Sequence, residues 1–128
     1  MRCFDSTFLI DYVRGEPAAV EKVRELLASS ERLTAPSVAA AELLVGAHYR
    51  GGRELARTLE FLERLEVLPF GIEEASEAGR LGAESLRRGA PVAGNDLLVA
   101  ATARRHRGIL VSRDGVFSQV PGLAVEAY

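Results

Sequence analysis

Four acids in this chain stand where carboxylates could do chemistry: Asp5, Glu42, Asp96 and Asp114. Asp5 closes a short apolar run, and the hydroxyl residues Ser6 and Thr7 follow it before Phe8-Leu9-Ile10 begins a helical pattern to about Arg14. That reads as a strand delivering a carboxylate to the edge of a sheet. Ligands of open α/β sheets bind outside the carboxyl ends of strands, so this acid is placed to hold a cation or a phosphate. Asp5 or Ser6 would equally serve as the cap of the next helix. Glu42 is the one charge in Val38–Ala47, a segment that reads as buried nearly all round. It therefore needs a cation, a hydrogen-bond network or a window to solvent. Asp96 falls in the first turn of an apolar helix, Asn95–Ala103, where the macrodipole favours the ionised form. Capping alone would account for it, yet Asn95 already suits that task. Asp114 lies in Ser112-Arg113-Asp114-Gly115, at the end of an apolar strand from Ile109.

The elements that must position these acids alternate. After the first strand and helix come a helix over 18–29, a strand at 33–35, a helix from 36–37 to about Tyr49, and a helix over 54–64. A strand at 66–70, a helix over 73–88, a loop at 90–94, the helix from Asn95, the strand from Ile109 and a last strand at 123–125 complete the chain. At 128 residues this is one domain, 1–128, of α/β class with a mostly parallel sheet of about five short strands. Right-handed crossovers bring the carboxyl ends of such strands onto one edge, so Asp5 and Asp114 become neighbours, and Asp96 and Glu42 can converge on them. Four clustered carboxylates repel unless divalent cations neutralise them. Oxygen ligands without His or Cys favour Mg²⁺, with Mn²⁺ as a substitute, and such a cluster serves phosphoryl chemistry.

Composition narrows the alternatives. Cys3 has no partner for an internal disulfide and reads as a small buried hydrophobe. With only His48 and His106 besides, no zinc site can be assembled, and His106 reads as a surface residue in the basic last turn of its helix. No apolar run reaches the roughly 18 residues of a membrane span and the N-terminus lacks signal-peptide form, so a cytoplasmic protein is expected. A receiver domain would need a lysine at a late strand end, but the one lysine, Lys22, is in an early helix. A haloacid-dehalogenase-like phosphatase would want an acid where Thr7 stands, and no Gly-rich phosphate loop is present. The net charge of −2 conceals 15 arginines. Arg14, Arg50, Arg53, Arg113 and the Arg104-Arg105-Arg107 cluster could make a positive rim around the acids.

The ordered set of Phe4–Asp11, Ser37–Ala47, Asn95–Ala103 and Ser112-Arg113-Asp114 resembles the motifs of a PIN domain, of the kind found as the VapC toxin of VapBC toxin–antitoxin pairs. The likeness covers nearly the full length. It implies a three-layer α/β/α fold and a Mg²⁺-dependent endoribonuclease that cleaves RNA by metal-activated water, leaving 5′-phosphate and 3′-hydroxyl ends. Asp5, Glu42, Asp96 and Asp114 would be the catalytic and metal-binding acids, with Ser6, Thr7 and Ser112 as auxiliaries, the last replaceable by Thr. Asp11 recurs in the opening motif but lies beyond the site, as a structural or supporting residue. The resemblance further implies a VapB-type antitoxin and a homodimer.

A groove among the early helices, lined by Phe8, Leu9, Tyr12 and Val13, by Leu43, Leu44 and Tyr49, and by Leu55, Leu59 and Leu62, would accept an amphipathic partner helix. The competing readings are a non-catalytic RNA- or protein-binding module with a residual acidic cavity, and a PIN nuclease of RNA processing without an antitoxin.

Overall fold

The computed structural model describes residues 1–92 and 94–128; Ala93, in the loop expected at 90–94, lies outside the described residues. Five short strands form one parallel sheet: β1 (Arg2–Phe4), β2 (Leu33–Pro36), β3 (Glu66–Leu68), β4 (Ile109–Val111) and β5 (Ala124–Glu126). Their spatial order is β3-β2-β1-β4-β5. The chain thus starts in the middle, steps outward twice on one side, and returns to step outward on the other. The reversal falls between β1 and β4, the switch point at which open parallel sheets leave a crevice.

Helices make the crossovers: α1 (Ser6–Val13) and α2 (Pro17–Leu27), α3 (Ser37–Arg50) and α4 (Gly52–Glu63), then α5 (Ile72–Arg87) and α6 (Gly94–Arg105). With one crossover handedness, the change of direction at the switch point puts α5 and α6 on the face opposite α1–α4, which gives three layers. Strands covered on both faces must be apolar throughout, and Cys3, Phe4, Leu110 and Val111 are fully buried. Burial pushes the Cys3 thiol up to about 12, so it is a packing residue. Gly51 and Gly52 join α3 to α4 with φ of 64° and 56°, a left-handed pair that glycine adopts without steric cost. Met1 stands beside the sheet, where its carbonyl accepts from the Ile109 N–H at 2.9 Å.

Three expectations change. The strand expected to reach Phe70 stops at Leu68, and Gly71, whose N–H is accepted by Glu74 at 2.8 Å, starts α5. α3 is not buried all round: Ala39, Ala40, Leu43 and Ala47 face the core, while Val45 and Tyr49 are 72% and 90% exposed. Alanines carry too little hydropathy contrast to mark a helix face, so the scarcity of charge concealed an outer side. Finally, His106 does not stand alone on the surface. It is half-buried, with Nε2 3.2 Å from Glu74 Oε2, between ion pairs of Arg105 with Glu73 (2.9 Å) and Arg104 with Glu77 (3.1 Å). These pairs fasten α5 to α6, the helix that carries Asp96.

Candidate active site

Asp5 leaves β1 at the centre of the sheet and is 3% exposed. The capping reading holds. Its Oδ1 accepts the Phe8 N–H at 2.8 Å and so caps α1, while Oδ2 faces the switch point and accepts from Ser112 Oγ at 2.5 Å. Ser112, buried at the end of β4, is held by its own N–H to the Glu126 carbonyl (3.0 Å), and its Oγ also accepts from the Asp114 N–H (3.0 Å). One hydroxyl therefore ties the acid of the first strand to the loop that bears the fourth acid. Asp114 is exposed, and its Oδ1 accepts the Val116 N–H at 3.0 Å to start a 3₁₀ turn, Gly115–Gln119.

Glu42 comes in from α3, where its Oε1 accepts from Ser6 Oγ at 2.8 Å. Asp96 stands exposed in the first turn of α6, as expected. Burial raises the Asp5 carboxyl above its usual range, the Ser112 and Phe8 hydrogen bonds oppose this, and the charges of Asp114 and Asp96 add to it. Asp96 is raised by partial desolvation, then by Asp114 and Glu42. Asp5 thus lies within electrostatic reach of Asp114 and Asp96, and Asp96 within reach of Asp114 and Glu42. They do not form a closed cage: among the described residues, no three Asp, Glu, His or Cys side chains stand close enough to hold one ion. Glu42 and Asp114 each turn instead to a local donor, the Ser6 hydroxyl and the Val116 N–H.

Other expected site residues divide. Ser6 supports Glu42, and Thr7 is half-buried in the same turn. Of the rim arginines, Arg50 pairs with Glu54 at 2.9 Å, and Arg104 and Arg105 are committed to α5, with Arg104 also donating to the Pro121 carbonyl (2.9 Å). Arg14 and Arg53 have no carboxylate partner among the described residues. Arg113, beside Asp114, is 55% exposed and reaches Asp11 at 3.3 Å. Asp11 accepts in turn from the Tyr128 hydroxyl at 2.6 Å, a partner that sequence reasoning missed because 117 positions separate the two.

Ser112→Ala is expected to cost about 1–3 kcal/mol, because it strips a hydrogen bond from a buried carboxylate. Ser112→Thr should recover most of the loss. Urea denaturation measures both, and an alanine variant as stable as the parent would show that the hydroxyl does not tie the two strand ends.

Comparison with known families matches the PIN domain to residues 2–123, and the chain belongs to that family. Within it, relatives bear the name VapC. The tRNA(fMet)-specific endonuclease VapC of Salmonella typhimurium is 31% identical over 127 residues, which span 95% of this chain and 93% of the relative. The crystal structure of VapBC2 from Rickettsia felis, bound to a DNA fragment from its promoter, superposes with a TM-score of 0.85 at 25% identity, covering 99% of this chain and 98% of that one. VapBC-5 of Mycobacterium tuberculosis, a member of the VapBC family of toxin–antitoxin systems, follows with a TM-score of 0.68 at 26% identity, covering 98% and 94%.

Proposed function

We propose that this chain is a metal-dependent endoribonuclease, the VapC-type toxin of a toxin–antitoxin pair. The observation that supports this best is that the chain belongs to the PIN family, with Asp5 leaving the central strand of its parallel sheet and bound to Ser112 at the end of the neighbouring one. VapC nucleases of this family depend in general on a divalent metal. The donor set here fits a hard cation, because it is made of carboxylate and hydroxyl oxygens without nitrogen or sulfur. Asp5, Asp96, Glu42 and Asp114 would hold it by drawing closer together than they stand here, with Mg²⁺ the proposed ion and Mn²⁺ a substitute. When bound, the ion supplies charge neutralisation and polarises water and phosphate. Asp5, Asp96 and Glu42 would also take up a proton, and Thr7 or Ser6 would orient the phosphate or water.

RNA is the proposed substrate, and tRNA the first to assay, given the Salmonella relative's name. Purified protein with Mg²⁺ or Mn²⁺ should cut it to fragments with 5′-phosphate and 3′-hydroxyl ends. Cleavage that persists in EDTA would contradict the metal mechanism. Among the described residues, no helix is long and apolar enough to cross a membrane, and the proposed setting is the cytoplasm.

The partner would be a VapB-type antitoxin, and the groove for it differs from the expectation. Phe8, Leu9, Val13 and Leu43 fill the core. A cavity of about 350 Å³ opens between α1, α2 and α4, with Tyr12, Val20 and Phe61 as its apolar walls and Arg57 and Arg64 against a single Glu60. At helical spacing, Leu55, Leu59 and Leu62 lie on another side of α4. A partner segment with an apolar anchor next to an acid suits the cavity. Arg64→Glu is therefore expected to weaken a co-expressed complex at least tenfold, at a stability change within about 0.5 kcal/mol for an exposed site. Leu59→Glu should leave the complex intact, and titration of both variants with the neighbouring gene's product decides. Homodimerisation is the further proposal for Val45 and Tyr49, exposed one turn apart on α3.

A further inference from the structure

Three residues from distant parts of the chain meet beside the acids without belonging to them. Asp11, in the last turn and a half of α1, is 13% exposed at its side chain; Oδ2 accepts from the Tyr128 hydroxyl at 2.6 Å and stands 3.3 Å from Arg113 Nη2. The Tyr128 ring packs edge-on against Phe8, with centroids 4.7 Å apart, and Phe8 stacks on Phe4, the residue before Asp5. Tyr128 is thus anchored by its ring to the core beneath the site and by its hydroxyl to Asp11. It also lies beyond the stretch that the PIN family matches, which ends at residue 123.

The guanidinium is held at one corner. Asp11 engages Nη2 alone, and no other hydrogen bond fixes Arg113 among the described residues. An arginine has five N–H donors in a planar fork whose two bidentate edges both include Nη2, so Asp11, taking one of the two Nη2 N–H bonds, leaves the other edge in a defined orientation for contact with a phosphate. Arg113 stands between Ser112, which touches Asp5, and Asp114. A phosphate on that edge would lie next to the acids.

We propose that Arg113 binds a backbone phosphate of the RNA, and that Asp11 and Tyr128 are positioning residues that aim its guanidinium. This rests on the nuclease reading for its substrate. Tyr128 changes no charge at the site and acts only by holding Asp11, which in turn acts only by holding Arg113.

Because the three residues act in series, a double-mutant cycle tests the proposal. The probe is fluorescently labelled bulk tRNA, with affinity read by anisotropy over a series of salt concentrations. Arg113→Ala should weaken binding about tenfold and reduce the salt slope by roughly 0.7–0.9. Tyr128→Phe, which keeps the ring and every charge, should weaken binding about threefold with the slope unchanged. In the Arg113→Ala background, neither Tyr128→Phe nor Asp11→Asn should have any further effect. Arg113→Lys should restore the slope but not the full affinity, since lysine lacks the fork.

A Tyr128→Phe effect that persists without Arg113 overturns the proposal, as does wild-type protein that binds no RNA. Cleavage is scored separately. A protein that shows the cycle but cuts no RNA would refute the nuclease reading and leave the positioning role standing, whereas cleavage with an additive cycle does the reverse.

Discussion

Asp5→Asn is expected to lower RNA cleavage by on the order of a thousandfold or more while the chain stays folded. Loss of a cation-holding carboxylate forfeits several kcal/mol of charge stabilisation, and each 1.36 kcal/mol is a factor of ten in rate. No neighbour would stand in, because Glu42, Asp96 and Asp114 would already be holding the ion from their own positions. The fold survives because asparagine keeps an oxygen for the Phe8 N–H and presents its amide to a Ser112 hydroxyl that can accept. The same substitution carries a pH signature. Asp5 has its pKa raised in the folded protein, chiefly by burial. A carboxyl of that kind contributes stability while protonated and loses it as pH rises through the folded value. The window therefore opens at the ordinary carboxylate pKa and closes at the raised one. Without metal, wild type should lose stability relative to Asp5→Asn across that window, and added Mg²⁺ should restore it to wild type alone. Single-turnover cleavage and urea titrations at several pH values measure both effects. Near-wild-type cleavage by the variant would remove Asp5 from the reaction.

The site could be read ahead of the structure where its chemistry is local in sequence. Asp5 sits at a strand end before a helix, and the cap inferred from that position is made by one of its oxygens while the other meets Ser112 at the end of the neighbouring strand. Asp96 likewise announces itself by its place in the first turn of α6. The order of the strands then follows from alternation and handedness, and with it the meeting of Asp5 and Asp114. What could not be read is set by partners far along the chain. Arg104 and Arg105 look like a basic patch until Glu77 and Glu73 are seen across the α5–α6 interface. His106 lacks an acid in its own segment and finds Glu74 in another. The outer side of α3 was invisible because alanine is indifferent to burial, and the leucines of α4 were credited to one groove although the helix turns them away from it. Tyr128 had no signal at all, since a tyrosine after the last strand could as readily face solvent.

Phe8→Ala is expected to cost about 3–5 kcal/mol. Phe8 has no exposed surface. Its ring stacks on Phe4 with centroids 4.4 Å apart and an interplanar angle of 22°, and takes the edge of Tyr128 at 4.7 Å and 86°. Truncation thus opens a cavity and also ends two aromatic contacts, each worth about 0.5–1.5 kcal/mol beyond the area buried. Domains of this size have roughly 5–15 kcal/mol in all, so the variant should be close to the margin and melt some 10–20 °C lower. The position matters for function as well, because the Phe8 N–H holds Asp5 Oδ1 and the ring seats Tyr128 beside Asp11. A variant assayed well below its melting point should therefore cleave more slowly than wild type, whereas an equally destabilising truncation remote from the site, such as Leu81→Ala, should not. Denaturant midpoints at unchanged m-value give the stability term, and turnover at saturating Mg²⁺ gives the other. A Phe8→Ala loss below about 1 kcal/mol would mean that the aromatic stack is not what fixes the first strand to its helix.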